Sequence, residues 1–204
     1  MKLKICGMKF PKNIIETERL KPDFMGFIFW DKSIRHYDKT SISISSKINR
    51  VGVFVNEKIE EVLKKIKQYD LDFIQLHGGE NEEYCRAITD HCKIIKVFSI
   101  SKGFEFKNSE PFEDLCHYFL FDTKTSSYGG SGKKFDWTIL NNYNSKKPFF
   151  LSGGISLDDI DEIKKISSSK LPLLGIDINS QFENKLLEKD CNKIKLLIKN
   201  LKNA

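Results

Sequence analysis

The sequence predicts a single α/β domain folded as a (β/α)8 TIM barrel, and three observations indicate this class. Eight short apolar segments alternate along the chain with segments of helical periodicity. Several of the apolar segments are hydrophobic on successive residues, which is typical of parallel strands covered on both faces. The chain has 204 residues, which is the lower size limit of such a barrel, about 200 residues.

The eight strand candidates are spread over the whole chain. They are residues 3–6, 25–30, 51–55, 73–76, 94–98, 118–121, 149–151 and 173–178. Between them lie amphipathic segments, of which residues 58–69 place Ile59, Val62, Leu63 and Ile66 on one helical face. The other helix candidates are residues 81–92, 157–166 and 192–201, with less regular patterns at 42–48 and 104–115 and a helix start at 135–137.

A doubly wound open sheet is the competing architecture, and two observations disfavour it. Such a sheet more often has five or six strands, and no G-x-G-x-x-G motif follows the first strand here. No shift in composition and no long linker divides the chain. Residues 1–204 are therefore predicted to form one barrel domain.

Composition and charge indicate a globular protein of the cytoplasm. The 34 Lys and Arg residues exceed the 28 Asp and Glu residues, giving a formal net charge of +6. The excess is mostly scattered Lys, whereas a nucleic-acid site more often shows clustered Arg with exposed aromatics. No apolar run is long enough to span a membrane, and no signal-peptide pattern opens the chain. The five cysteines have neither disulfide nor zinc-ligand spacing, so a reduced protein without a metal is expected.

Polar and ionisable residues recur where the predicted strands end. Because the active site of a (β/α)8 barrel is built at the carboxyl ends of its strands, these residues are the site candidates. They are Cys6 after the first strand, Arg35 after the second, Gln75 and His77 at the fourth, Asp122 at the sixth, Ser152, Gly153 and Gly154 at the seventh, and Asp177, Asn179 and Ser180 at the eighth.

Cys6 and Asp122 are the candidates for proton transfer. Asp122 ends a buried strand and is followed by a glycine-rich loop, although a plain strand and surface loop would have the same pattern. Cys6 is either a small buried hydrophobic residue or one half of an acid–base pair with Asp122. A thiol has an ordinary pKa of about 8.5, so a modest downward shift would supply thiolate near neutral pH.

Three further groups have alternative interpretations. Residues 152–154, Ser-Gly-Gly, form either a tight turn or a phosphate site, which Asn179 and Ser180 would complete. Arg35 is either an ordinary surface charge or a bidentate partner of a substrate carboxylate. For His77 a hydrogen-bonding role is favoured over a metal site, because no second metal-type ligand stands beside it.

Together these stretches resemble the phosphoribosylanthranilate isomerase family of tryptophan biosynthesis. The matching segments lie in order over nearly the whole chain. They are Lys-Ile-Cys-Gly-Met at 4–8, Gly-Phe-Ile-Phe at 26–29, Ser-Ile-Arg at 33–35, Val-Gly-Val-Phe-Val-Asn at 51–56, Gln-Leu-His-Gly at 75–78, Phe-Asp-Thr-Lys-Thr at 121–125, Gly-Gly-Ser-Gly at 129–132, Phe-Asp-Trp at 135–137 and Leu-Ser-Gly-Gly at 151–154.

The resemblance implies an Amadori rearrangement without metal or organic cofactor. In this scheme Asp122 is the general acid and Cys6 the general base, and Arg35 holds the anthranilate carboxylate. It also implies substrate contacts by Gln75, His77, Gly130 and Asp177, and phosphate contacts by Gly153, Gly154, Asn179 and Ser180. The loop 123–134 would close over the site as a lid. The expected partner is a small phosphorylated substrate, and the protein is expected to be a monomer or a homodimer.

The chain departs from the family pattern after the last strand, where Asp-x-Ser-Ser-Gly-x-Glu is usual. Here residues 177–183 read Asp-Ile-Asn-Ser-Gln-Phe-Glu, so Asn179 and Gln181 replace a serine and a glycine. A Pro-Gly turn expected before Lys189 is also missing. The related sugar isomerase of histidine biosynthesis is one rival, but it uses aspartates at both catalytic strand ends. A barrel that only binds phosphate ligands or nucleic acid is the other.

Overall fold

Eight parallel strands close into one barrel in the computed structural model, which describes residues 1–123 and 134–202. Each strand pairs with its neighbours in sequence, and the first pairs with the last through Lys2–Gly175 and Ile5–Ile178. The strands are β1 (Lys2–Ile5), β2 (Phe24–Ile28), β3 (Asn49–Phe54), β4 (Phe73–Leu76), β5 (Lys93–Ile100), β6 (Tyr118–Thr123), β7 (Phe149–Leu151) and β8 (Leu173–Ile178).

The predicted fold class is confirmed, because β1 pairs with β8 and closes the sheet into a barrel. All eight predicted strands are present, and β4, β7 and β8 have the predicted boundaries. The other five differ by one to two residues at one or both ends, which is the usual uncertainty of element boundaries. Thr123 still pairs with Ile100, so β6 continues beyond Asp122.

Among residues 1–123 and 134–202, five α-helices and several 3₁₀ helices connect the strands of the barrel. The α-helices are α1 (Pro11–Glu18), α2 (Ile59–Tyr69), α3 (Glu82–Ile88), α4 (Ile160–Ser167) and α5 (Cys191–Lys202). The 3₁₀ helices are Phe106–Phe112, Trp137–Asn142, Leu157–Asp159 and Ser180–Phe182. Within the described ranges, no helix is long and apolar enough to cross a membrane.

Two helix predictions need correction. The expected helix at residues 42–48 is wrong, because this segment is irregular. Its serines bind the backbone locally, as where Ser45 Oγ accepts from Lys47 N, and such bonds compete with helix formation. The expected helix at 104–115 is only the 3₁₀ helix Phe106–Phe112, which contains Pro111. Helix α1 was not predicted, although Pro11 at its first turn is a known start signal.

Apolar side chains fill both the barrel interior and the layer between the strands and the helices. The interior cluster contains Phe24, Val51, Phe73, Ile95, Val97, Leu120 and Phe150. Along β1, Leu3 and Ile5 belong to the outer cluster, so the alternate residues Lys4 and Cys6 point into the barrel. Because side chains alternate along the strand, Lys4 and Cys6 lie inside the barrel, on the carboxyl side of the apolar interior cluster.

A buried ion pair fixes the loop after β4. Lys96 Nζ lies 2.9 Å from Glu80 Oε2 and donates to the Gly78 carbonyl at 3.0 Å. The same Glu80 carboxylate accepts from the backbone N–H groups of Asn56 and Gly78. A carboxylate with this many donors is held in one position, and it anchors the loop that carries His77.

Candidate active site

Side chains from five strands meet at the carboxyl end of the barrel. Cys6 follows β1, Gln75 and His77 lie at the end of β4, and Asp122 lies near the end of β6. Residues 152–154 follow β7, and Asp177 lies in β8 with Asn179 and Ser180 directly after it. Because all the strands are parallel, these predicted residues share one mouth of the barrel. Gly130, another predicted substrate contact, lies outside the described residues, as does most of the predicted lid.

Cys6 lies in a buried charged cluster at this mouth. Its neighbour Lys4 is completely buried, and Lys4 Nζ lies 2.9 Å from Asp177 Oδ1. Lys4 Nζ and Cys6 Sγ also lie side by side next to Gly26 of β2. A Cβ atom at Gly26 would lie 2.8 Å from Cys6 Sγ and 3.3 Å from Lys4 Nζ, so only glycine leaves room for both groups. Gly26 of β2 therefore leaves space for the ion pair between Lys4 of β1 and Asp177 of β8.

Burial and charge act on Cys6 in opposite directions. Desolvation raises the pKa of the Cys6 thiol, the Lys4 ammonium lowers it, and the net shift is upward. Burial also disfavours the charged form of Lys4, but Asp177 and Cys6 outweigh this effect and raise the pKa of Lys4. Lys4 therefore remains an ammonium group beside the thiol, and a thiolate that forms there is a strong base.

Asp122 forms a hydrogen-bonded chain with β4. Asp122 Oδ2 lies 3.3 Å from His77 Nε2, and His77 Nδ1 lies 3.2 Å from Gln75 Nε2. With its proton on Nε2, His77 donates to the carboxylate and accepts from the amide of Gln75. The other carboxylate oxygen of Asp122 accepts from Thr123 N at 2.8 Å. Both oxygens are thus oriented toward defined donors.

The glycine turn after β7 packs directly on the end of β6. Gly153 has φ +91°, and a Cβ atom there would lie 2.2 Å from Thr123 Oγ1 and 3.0 Å from Asp122 Oδ1. Both the dihedral angle and the space therefore require glycine. Because position 153 is glycine, the predicted phosphate turn can pack directly against Asp122, the predicted general acid.

Glu183 links Arg35 to the strand end that carries Asn179. Arg35 donates hydrogen bonds to the Glu183 carboxylate from both Nε and Nη2, and Nη2 lies 2.7 Å from Oε2. Lys189 forms a second ion pair with Glu183 and donates to Asn179 Oδ1 at 2.7 Å. The side chains of Glu183 and Lys189 are 3% and 1% exposed, so both charges depend on each other. Arg35, predicted to bind a carboxylate, and Asn179, predicted to bind phosphate, are thereby joined in one network of hydrogen bonds and ion pairs.

The turn before Lys189 forms without the Pro-Gly sequence. Asn184 Oδ1 accepts from the backbone N–H groups of Leu186 and Glu188, and Leu187 adopts φ +64°. An asparagine side chain is suited to this role because it can imitate a backbone turn. Gln181 lies in the 3₁₀ helix Ser180–Phe182 and does not have a positive φ. Its side chain is therefore accommodated without backbone strain.

The described ends of the predicted lid are close together. Phe135 N donates to Thr123 Oγ1 at 3.0 Å, which joins the end of β6 to the segment that precedes the 3₁₀ helix Trp137–Asn142. Lys134 pairs with Asp159, the last residue of the 3₁₀ helix Leu157–Asp159. In the part of the chain that the structure describes, no three His, Cys, Asp or Glu side chains are grouped to hold a metal ion.

Three residues of the site were missed by the sequence analysis: Lys4, Glu183 and Lys189. For Lys4 a signal was present, because it alternates with Leu3 and Ile5 and therefore shares a strand face with Cys6. Glu183 and Lys189 lie after the last strand, and the contact between Glu183 and Arg35 spans 148 residues. Strand and helix periodicity carry no information on such a contact.

Replacing Glu183 tests this network. The pKa of Glu183 is lowered, because Arg35 and Lys189 outweigh the opposing effect of burial. Its contribution to stability is therefore present above the ordinary Glu pKa of about 4.3 and is lost as the pH falls through the lower folded value. We expect Glu183→Gln to reduce the free energy of unfolding at pH 7 by about 3–5 kcal/mol, as when one partner of a buried pair is removed.

Urea denaturation between pH 7 and about pH 3 measures this effect, because the contribution is lost only below the ordinary Glu pKa. The difference between wild type and Glu183→Gln should shrink toward the acidic end of this range. Glu162→Gln, an exposed residue of α4, is the matched control and should change stability by no more than about 0.5 kcal/mol. Equal stabilities of wild type and Glu183→Gln at pH 7 would show that the network contributes nothing.

The fold and the site together define a (β/α)8-barrel enzyme, with ionisable groups from several strand ends at the carboxyl mouth. Residues 3–200 match the family model described as "N-(5'phosphoribosyl)anthranilate (PRA) isomerase". The chain belongs to this isomerase family.

Individual relatives agree with the family match. The N-(5'-phosphoribosyl)anthranilate isomerase of Phocaeicola vulgatus is 40% identical over 203 residues, covering 99% of this chain and 98% of that protein. The crystal structure of the Thermotoga maritima phosphoribosyl anthranilate isomerase has a TM-score of 0.86 at 30% identity, with both chains fully covered. A further structure of this kind of enzyme, in complex with reduced 1-(o-carboxyphenylamino)-1-deoxyribulose 5-phosphate, has a TM-score of 0.81 at 27% identity and full coverage of both chains.

Proposed function

We propose that the protein catalyses the Amadori rearrangement of N-(5-phospho-β-D-ribosyl)anthranilate to 1-(2-carboxyphenylamino)-1-deoxy-D-ribulose 5-phosphate, a step of L-tryptophan biosynthesis. The observation that carries the proposal is that Cys6, directly after β1, and Asp122, on β6, lie at the same mouth of the barrel. Asp177 of β8 belongs to the same site, since its carboxylate pairs with Lys4 at 2.9 Å and its charge raises the pKa of Cys6.

The first half of the reaction opens the sugar ring. Asp122 protonates the furanose ring oxygen while the lone pair of the substrate amine expels that oxygen from C1, which leaves a protonated Schiff base. The hydrogen bond from His77 and the backbone N–H of Thr123 hold the carboxyl group in position for this transfer. General acid catalysis of this kind accelerates a reaction by about 10²–10⁴-fold.

The second half moves the double bond. The Cys6 thiolate removes the proton from C2, and the electrons of the C–H bond form a C1–C2 double bond as the Schiff base nitrogen is neutralised. The resulting enolamine tautomerises to the ketone at C2 and gains a proton at C1. The substrate nitrogen accepts the electrons itself, so no cofactor enters this scheme.

The remaining site residues bind the substrate in this proposal. Arg35 would hold the anthranilate carboxylate, and Gly153, Gly154, Asn179 and Ser180 the phosphate. Lys189 occupies Asn179 Oδ1, so the amide nitrogen is the group that can donate to a phosphate oxygen. Gln75 Oε1 is buried without a hydrogen-bond partner in the described ranges, which supports its role as an acceptor for a substrate hydroxyl. His77, Gly130 and Asp177 complete the proposed substrate contacts.

The proposal extends to cellular location and assembly. A cytoplasmic location is supported by the cysteines, all five of which are free thiols. We further propose a monomer or a homodimer, which sedimentation equilibrium would distinguish by mass.

A direct assay tests the function. The purified protein is given phosphoribosylanthranilate, and the loss of anthranilate fluorescence is followed with time; the substrate should be consumed at a rate proportional to protein concentration. The bisphosphorylated substrate of the histidine-pathway isomerase is the comparison, and we expect no turnover of it because position 6 is not an aspartate. No loss of fluorescence, or turnover of the bisphosphorylated substrate alone, would contradict the proposal.

A further inference from the structure

We infer that Lys4 is a positioning residue whose buried ammonium group stabilises the thiolate of Cys6. Asp177 limits this effect, because its carboxylate pairs with the same ammonium group. The inference rests on the proposed function where it concerns catalysis, since Cys6 is the proposed base there. The ionisation of the Cys6 thiol is a property of the free protein, so it can be measured without substrate.

Geometry places the three groups in one water-excluded cluster. Lys4 Nζ is 2.9 Å from Asp177 Oδ1, and Lys4 is completely buried. Lys4 Nζ and Cys6 Sγ both border Gly26, since a Cβ atom there would lie 3.3 Å from the nitrogen and 2.8 Å from the sulfur. Cys6 is 4% exposed and Asp177 is 6% exposed. Charges at such distances interact far more strongly in a buried cluster than in water. The thiol, ammonium and carboxylate groups therefore set one another's charge state.

The charged groups that act on Cys6 come from three elements. Lys4 lies on β1, Asp177 on β8, and Lys189 precedes α5. On the β2 side the neighbour is Gly26, which carries no charge. Of these groups, Lys4 and Lys189 lower the pKa of Cys6, whereas Asp177 raises it. Lys189 is already committed to Glu183 and Asn179. Lys4 has the larger effect on Cys6, and it borders the same glycine, Gly26, as the sulfur.

A purely structural role of Lys4 predicts a different result from a role in thiol ionisation. If the Lys4–Asp177 pair only stabilised the barrel, removing either partner would lower the melting temperature and leave the thiol unchanged. If Lys4 stabilises the thiolate, Lys4→Met raises the pKa of Cys6. Asp177→Asn lowers it, because the ammonium charge then acts on the sulfur alone. Both substitutions break the same ion pair, but they are expected to shift the pKa of Cys6 in opposite directions.

The experiment is a pH titration of thiol alkylation in the full-length protein. Wild type, Lys4→Met, Lys4→Arg and Asp177→Asn are reacted briefly with iodoacetamide between pH 6 and pH 11, and the modification of each cysteine is measured by peptide mass spectrometry. We expect the Cys6 midpoint to move upward by about one to three pH units in Lys4→Met and downward by a similar amount in Asp177→Asn. Lys4→Arg keeps the charge and should stay close to wild type. Cys191, the half-exposed thiol of α5, is the internal reference and should titrate identically in all four proteins.

Equal Cys6 midpoints in Lys4→Met and wild type, or shifts of the same sign in Lys4→Met and Asp177→Asn, would overturn the inference. The pH dependence of kcat/KM gives a second readout, in which the rise with pH should move to higher pH in Lys4→Met. A failed isomerase assay with the expected thiol shifts would contradict the proposed function and leave the ionisation of Cys6 explained. Normal turnover with unshifted thiol titrations would contradict only the role of Lys4.

Discussion

Asp122→Asn is expected to abolish nearly all turnover of phosphoribosylanthranilate. The amide has the shape of the carboxyl group but cannot protonate the ring oxygen, so the ring-opening step loses its general acid. The expected loss in kcat is at least about 10²–10⁴-fold, the contribution of one positioned proton donor. Steady-state kinetics by fluorescence measure this loss, and substrate binding should weaken far less than turnover.

The local structure should survive this substitution. The amide oxygen of the new side chain can still accept from Thr123 N, as Asp122 Oδ1 does at 2.8 Å. Asp90→Asn is the matched control, because it makes the same chemical change at an exposed residue just before the amino end of β5. Its kcat should equal that of wild type. Wild-type turnover in Asp122→Asn would show that another group supplies the proton.

The barrel could be predicted because its signals are local and repeated. Each strand is a short run of buried residues, such as residues 149–151, which pack on both faces of the sheet and therefore appear as continuous apolar segments. Eight such runs in about 200 residues leave few architectures. The helix prediction at residues 42–48 was wrong because serine side chains there bind nearby backbone groups, as where Ser45 Oγ accepts from Lys47 N.

The site could be predicted only in part, for a physical reason. Cys6, His77, Asp122 and Asp177 were found because the carboxyl ends of parallel strands must converge, so position along a strand was sufficient. The partners that set their charge were harder to find. A lysine within a strand is commonly a solvent-facing residue, and only barrel closure, with β8 beside β1, brings Lys4 to Asp177. Pairing across 173 residues is a property of the closed fold and not of any segment.

Cys6→Ser is expected to reduce kcat by orders of magnitude while leaving substrate affinity nearly unchanged. A thiol ionises with an ordinary pKa of about 8.5, whereas a serine hydroxyl is far too weakly acidic to supply a comparable base. The C2 proton then has no acceptor of sufficient strength, and about 10²–10⁴-fold in rate should be lost. The smaller oxygen atom fits where Cys6 Sγ lies against Gly26, so no steric cost arises.

Two measurements separate this loss from a structural effect. The rise of kcat/KM with pH should disappear in Cys6→Ser, because no thiol remains to ionise. Cys191→Ser, the same change at a half-exposed thiol, should retain both wild-type kcat and the rise with pH. An unchanged kcat in Cys6→Ser would place the base elsewhere, and Asp177, the carboxylate paired with Lys4 beside the thiol, would then be the next group to replace. In the proposed mechanism the substitutions at positions 6 and 122 act on successive proton transfers, so the second should slow a double variant by less than it slows wild type.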